Sequence, residues 1–323
     1  MPILNDMIIK TSMTDTSSAS ISFVMPAYNC EKTIEESVES IMNGNFLPGD
    51  ELIIVNDGSS DHTAHVIERL KNKFPIIISI INDKNKGCPA SRNIGIQKAT
   101  NPYIFNLDSD NILTPGSVRT LLQYLLQEHA DVAAFGEYYY FIKSIQNVTH
   151  KWICQDGVMT LADFLAGPIN PGPGGNFLFT KAIWEKIDGY WEYGAGLHEA
   201  WGFALKMLVH EAKFVVLRNS FYYHRHGHAS LFVRESKKNT AESSSMATKM
   251  ISPFLSLLLP EDVAWIKSPE GSTCWYEQLS VRPIRLANGK KGKTGYKWKP
   301  TPKHPAIDTL IKGTKRIVSF FLK

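Results

Sequence analysis

The sequence predicts an α/β protein: a Rossmann-like, mainly parallel sheet flanked by helices, followed by a mostly helical, basic C-terminal appendage. Three observations carry this. Four short Ile/Val-rich runs, "ISFVM" (21–25), "ELIIV" (51–55), "IIISII" (76–81) and "YIFNL" (103–107), do not alternate with polar residues. That suits strands buried on both faces. Helical patterns separate the runs, and this alternation implies βαβ units. Finally, the charge divides: residues 282–323 hold 12 Lys/Arg against one acid, Asp308, so that segment is +11 and the remainder −7. Body and tail therefore have different electrostatic roles.

Each element has a local cause. "EKTIEESVESIMNG" places Ile34, Val38, Ile41 and Met42 on one helical face, with Gly44 as the stop. "SSDHTAHVIERLKNK" opens on Ser/Asp caps and buries Val66, Ile67 and Leu70. "PASRNIGIQKA" supplies a third helix. At 323 residues, the chain divides into a lead-in (1–19), a main domain (20–235) and the appendage (236–323). Hydrophobic content of 43% and charged content of 20% suit a globular protein. No run of 18 apolar residues predicts a spanning helix, and the start lacks the apolar stretch of a signal peptide. Cys30, Cys88, Cys154 and Cys274 lack metal-site spacing. Reduced thiols in a cytoplasmic protein are the expectation, and the sequon at Asn147 then carries no meaning.

In parallel sheets, ligands bind beyond the carboxyl ends of the strands. Polar loops follow all four runs: "PAYNCEKT", "NDGSSD", "NDKNKGCPASRNIG" and "DSDN". The last poses a physical question. Asp108 and Asp110 stand two residues apart where a buried strand ends, which is costly unless a positive group lies between them.

In order and spacing, "FVMPAYNCEKTIEESVESI", "IIVNDGSSDHT", "NKGCPASRNIG" and "FNLDSDNILTPG" resemble family 2 glycosyltransferases of the GT-A fold. The resemblance covers about 21–130 and continues loosely to about 235. The family moves a sugar from a nucleotide-sugar donor, usually with inversion and usually with Mn2+ or Mg2+.

The resemblance implies roles. Asp110 would bind the metal, and Asp108 the ribose or a metal-bound water, with Ser109 between them at the nucleotide sugar. A hard cation bridging carboxylates to phosphates fits that pattern, although a strand-ending turn gives the same string. Asp57 would accept from the nucleobase, a uracil N–H, or simply form an Asp-Gly turn; Asn56 stands where many relatives have another Asp. Pro26, Ala27 and Tyr28 would wall the base pocket. Arg92 would lie near the base or diphosphate, its plain alternative being a surface ion pair. In "NPGPGGNFLF", Gly174, Gly175 and Asn176 would line the donor sugar, or the segment is only a loop.

Inverting transfer needs a base on the acceptor hydroxyl. Relatives carry Glu-Asp where this chain has Glu199-Ala200. Glu199 is the favoured base and His198 the substitute. His226, then His224, would reach the metal or diphosphate; exposed loop histidines are the alternative. The tail "KHPAIDTLIKGTKRIVSFFLK" combines an apolar stripe with flanking lysines, which suits a peripheral contact with an anionic membrane at its inner face. The competing reading packs it on the body or on a second copy in a homodimer. Nucleic acid is disfavoured because the body is acidic. The expected acceptor is a glycan or lipid-linked glycan of a surface polysaccharide. Two rivals stand: a sugar-phosphate nucleotidyltransferase, and a binding subunit that lost its base at Ala200.

Overall fold

A computed structural model describes residues 19–166, 176–193, 198–227, 240–279 and 281–293. The four runs form β1 (Ile21–Ala27), β2 (Glu51–Asn56), β3 (Ile77–Ile81) and β4 (Tyr103–Asn106). They pair in parallel in the order β3-β2-β1-β4. Between them lie α1 (Ile34–Met42), α2 (Thr63–Lys73) and α3 (Cys88–Lys98). All seven residues of β1 are buried, as an unbroken apolar strand in mid-sheet requires. The third run departs from expectation. β3 is the edge of the sheet, with Ile78 and Ile80 half-buried and Ile81 65% exposed. An edge strand has a neighbour on one side only, so apolar composition alone did not place it inside.

Helix α3 lies unusually close to the sheet. Gly95 permits it: a Cβ there would stand 2.5 Å from Val24 Cγ1 and 3.3 Å from Val55 Cγ2. Helix α2 starts just after the Ser/Asp cluster: the cap position falls on His62, which makes no side-chain capping bond, while Asp61 Oδ1 accepts from Thr63 N at 2.9 Å.

The sheet then turns mixed. It adds β5 (Ile112–Leu113), β6 (Val132–Phe141), β7 (Val148–Ile153), β8 (Gly157–Met159), β9 (Leu178–Thr180) and β10 (Phe214–Arg225). β9 runs antiparallel between β4 and β6, β10 runs parallel to β6, and β7 pairs with β6. Helix α4 (Ser117–Gln127) packs on β6 and β10, while α5 (Leu161–Ala166), α6 (Lys181–Lys186) and α7 (Glu199–Val209) complete the body.

The appendage begins with α8 (Thr240–Ile251), continues through a 3₁₀ turn (Ser252–Leu257), and adds α9 (Pro260–Lys267) and α10 (Gly271–Cys274). It shares the main core. Trp275 is fully buried 6.1 Å from Trp201 of α7, and its Nε1 donates to Thr248 Oγ1 at 2.7 Å. Ile284 N donates to Leu165 O, and Lys293 N to Asp163 Oδ1. The expected boundary at 235, the lead-in to residue 18, and the tail beyond 293 lie outside the described residues. Among the described residues, no helix is long and apolar enough to cross a membrane. The four cysteines are free thiols.

Candidate active site

Parallel pairing brings the four strand ends together. Asp57 N donates to Ala27 O, Asn82 N to Asn56 O, and Leu107 N to Val24 O. The first two loops are laced: Asn29 N donates to Ser59 Oγ, and Ser60 N to Asn29 Oδ1. Pro26 and Ala27 are buried in β1, while Tyr28 is 43% exposed on the loop.

Asp57 is almost wholly buried and organises the third loop. Oδ1 accepts from Asn82 Nδ2 at 2.8 Å and Lys86 N at 2.9 Å; Oδ2 accepts from Gly87 N at 2.9 Å. A carboxylate has about four acceptor sites, so one remains for a donor arriving from outside. The Asp-Gly turn and the presented carboxylate coexist.

A positive group does stand at Asp108, but it joins that acid to Glu199 and not to Asp110: it is Arg92. It is not a surface residue: its side chain is 0% exposed, so the plain ion-pair alternative is overturned. One amino group donates to Asp108 Oδ1 and the other to Glu199 Oε1, each at 2.5 Å. The guanidinium also lies 5.5 Å from the Tyr190 ring centroid. A planar fork suits two separate carboxylates. Asp108 and Glu199, 91 positions apart, thus meet at one buried cation.

Asp108 is held on every side. Oδ2 accepts from Asn111 Nδ2 at 3.1 Å and Asn176 Nδ2 at 3.4 Å, and Asp108 N donates to Asn176 Oδ1 at 3.0 Å. Burial pushes its carboxyl up to about 7, against the pull of Arg92. Asp110 is half-buried. Its carbonyl accepts from Arg225 Nε at 2.9 Å, while Arg225 N donates to Asn111 Oδ1 and its guanidinium pairs with Glu36. Arg225 thereby braces the Asp110–Asn111 turn from behind. Ser109 lies beside the Cys30 thiol, which burial pushes up to about 11.

Glu199 opens α7. Its Oε2 is buried with no hydrogen-bond partner among the described residues. His198 precedes it in left-handed conformation (φ 59°), its Nε2 2.6 Å from Ser243 Oγ and its ring 4.1 Å from Tyr276. Burial pushes His198 down to about 4, so the imidazole is neutral at physiological pH. Asn176 is fully buried at the centre of the site, whereas Gly174 and Gly175 lie outside the described residues.

His224 and His226 are brought together on one face of β10 and its extension, but around Tyr140. His226 Nε2 is 2.7 Å from Thr149 Oγ1, and His224 Nδ1 is 3.4 Å from Tyr222 Oη. Among the described residues, no three His, Cys, Asp or Glu side chains converge as a metal cage. The expected set of Asp110, His226 and His224 is therefore not assembled here.

Sequence reasoning missed Asn93, Asn111, Tyr190, Tyr222 and Arg225. Asn93 Oδ1 accepts from Tyr190 N and Trp184 Nε1, fixing the ring against Arg92. Asn93 and Asn111 stand inside motifs already singled out, so proximity to a motif was a usable signal. Arg225 lies between the two candidate histidines, so alternation puts it on the opposite face, but only strand pairing shows that Asp110, Asn111 and Glu36 stand there.

This arrangement gathers buried carboxylates, amides and a guanidinium at the carboxyl ends of the parallel strands. The family model for glycosyl transferase family 2 matches residues 22–188, just over half of the chain, and the chain belongs to that family. An uncharacterized glycosyltransferase of Haemophilus influenzae is 34% identical over 36% of this chain and 46% of its own length. The minor teichoic acid biosynthesis protein GgaA of Bacillus subtilis is 32% identical over 36% of this chain and 28% of its own. The chain thus spans less than half the length of these curated relatives. Among solved structures, S. aureus TarS 1–349 in complex with UDP-GlcNAc superposes with a TM-score of 0.56 at 17% identity, covering 81% of this chain and 70% of that one. At that identity the likeness shows the GT-A fold.

Proposed function

We propose that the protein is a metal-dependent inverting glycosyltransferase. It would move a sugar from a UDP-sugar to a hydroxyl of a glycan or lipid-linked glycan in surface polysaccharide synthesis. One observation carries this reading: Arg92 fastens Asp108, on the donor side, to Glu199, on the acceptor side, within one buried network. The names of relatives, which include a teichoic acid protein and a poly-β-1,6-N-acetyl-D-glucosamine synthase of Staphylococcus epidermidis, support the acceptor class.

The residues fit a hard cation at one carboxylate. Asp108 has both oxygens committed to protein donors, so Asp110 is the residue that would hold the cation. Mn2+ or Mg2+ held there would neutralise charge on the departing diphosphate. Asp57 and the 26–28 backbone hold the base. Arg92 fixes Glu199 Oε1, leaving Oε2 to accept the proton of the attacking hydroxyl. His198 is the weaker candidate, since its Nε2 is engaged by Ser243. A binding subunit without catalysis is the second reading, favoured by Ala200 and by the tie of Glu199 to Arg92. Peripheral binding to an anionic membrane, begun by exposed Arg282, Lys290 and Lys291 and continued by the tail, would bring the enzyme to a lipid-linked acceptor.

The test is a thermal-shift screen of UDP-sugars with and without Mn2+, using wild type and Asp110→Ala. A ligand at 100 times its Kd stabilises by about 2.7 kcal/mol. The expected result is a Mn2+-enhanced shift in wild type that Asp110→Ala loses while keeping its unliganded melting temperature. An equal Mn2+-enhanced shift in both proteins removes Asp110 from the metal site.

A further inference from the structure

Beyond the donor site, one sheet face carries a row of rings. Strand pairing sets Tyr140 opposite both His150 of β7 and His224 of β10. The Tyr140 ring stacks on His150 at 4.5 Å with 9° between planes, and lies 6.2 Å from Trp152 and 4.8 Å from His224. On the same face, Tyr138 and Tyr222 are fully buried, yet Tyr140, His150, Trp152 and His224 all keep part of their surface open.

The imidazoles are oriented. Thr149 Oγ1 donates to Tyr140 O at 3.2 Å and lies 2.9 Å from His150 Nδ1 and 2.7 Å from His226 Nε2. A hydroxyl has one proton and two lone pairs. One proton cannot serve all three contacts, so at least one imidazole donates to Thr149. Burial and the neighbouring His226 push His150 below its ordinary range, so it is neutral at physiological pH.

This row is joined to the donor site. Asn176 Nδ2 lies 3.4 Å from Asp108 Oδ2 and 3.0 Å from Tyr222 Oη, and Tyr222 Oη lies 3.4 Å from His224 Nδ1. The strand order places β2, β1 and β4, with the nucleotide residues, on one side of Asp108, and β6, β10 and β7 on the other.

We propose that the face formed by Tyr140, His150, Trp152 and His224 is a platform for a saccharide unit of the acceptor. A pyranose has an apolar C–H face and a rim of hydroxyls. Flat rings suit the face, and imidazole nitrogens suit the rim. The proposal rests on the glycosyltransferase reading, so its test must separate the two.

The experiment is saturation-transfer-difference NMR on the full chain with chitotetraose, cellotetraose and maltotetraose as probes. UDP binding is measured on every protein in parallel. Wild type is expected to transfer saturation to the ring C–H protons of at least one probe. Trp152→Ala should weaken that binding about tenfold or more, the scale for truncating an anchoring aromatic. Trp152→Phe, which keeps a flat ring, should retain most of it. UDP binding should be the same in all three proteins, which also verifies the fold. If UDP binds and none of the probes receives saturation, or Trp152→Ala binds as well as wild type, the platform is overturned. If wild type does not bind UDP, the glycosyltransferase reading fails instead.

Discussion

Replacing Arg92 with Met removes the one charge that Asp108 and Glu199 share while leaving a side chain of similar length. Arg92 is fully buried and each carboxylate stands 2.5 Å away with only 20% and 13% of its side chain open, so water replaces only part of the lost charge. Breaking a buried pair by deleting one partner costs about 3–5 kcal/mol. Against a total stability of about 5–15 kcal/mol, that is a large share, and it corresponds to a fall in Tm of about 6–20 °C. The loss depends on pH. Asp108 is already raised to about 7, and Arg92 is what opposes the rise. Without it the folded-state value climbs further. A carboxyl raised on folding costs nothing below its unfolded value near 3.9, and the cost grows as pH rises towards the folded value. The gap between wild type and Arg92→Met should therefore be small at pH 4.5 and wide at pH 8. Adding Glu199→Gln should recover part of the loss, because one uncompensated charge disappears. Thermal melts of the four proteins at both pH values measure this. A variant melting within 2 °C of wild type at pH 8, or an equal gap at both pH values, would refute the bridging argument.

Other outcomes follow from single contacts. Glu199→Gln alone should keep UDP affinity but slow transfer by roughly 100-fold or more, as for a lost general base; steady-state rates beside UDP titrations separate the two effects. Gly95→Ala should destabilise by about 1–3 kcal/mol, the range for overpacking a core, because its Cβ would stand 2.5 Å from Val24 Cγ1; urea denaturation gives the value, and an unchanged midpoint would mean that α3 can move away. Removing residues from about 300 onward should leave donor hydrolysis intact and weaken co-sedimentation with anionic liposomes at low salt, since each engaged Lys or Arg contributes on the order of 1 kcal/mol. Full-length protein that stays in the supernatant at low salt would sink the membrane reading.

The sequence by itself determined the four leading strands, their parallel order of motifs and the edge where their polar loops gather. Those depend on local signals: apolar runs, capping acids and the turn chemistry of "NDG" and "DSDN". It also singled out Arg92, Asp108, Asn176 and Glu199, which lie in one polar network at that edge, and Asp57, which ties down the third loop there. What it could not decide was pairing over distance. Whether Arg92 faced solvent or the interior depended on Glu199, 107 residues away. Whether β3 was central or an edge depended on which strands lay beside it, since its composition matches that of β2. The histidines of β10 were legible as an alternating set, but their neighbours, Thr149 and His150 across β6 and β7, were not. Residue spacing fixes which face of a strand a side chain takes; only the register of the folded sheet decides what stands opposite it.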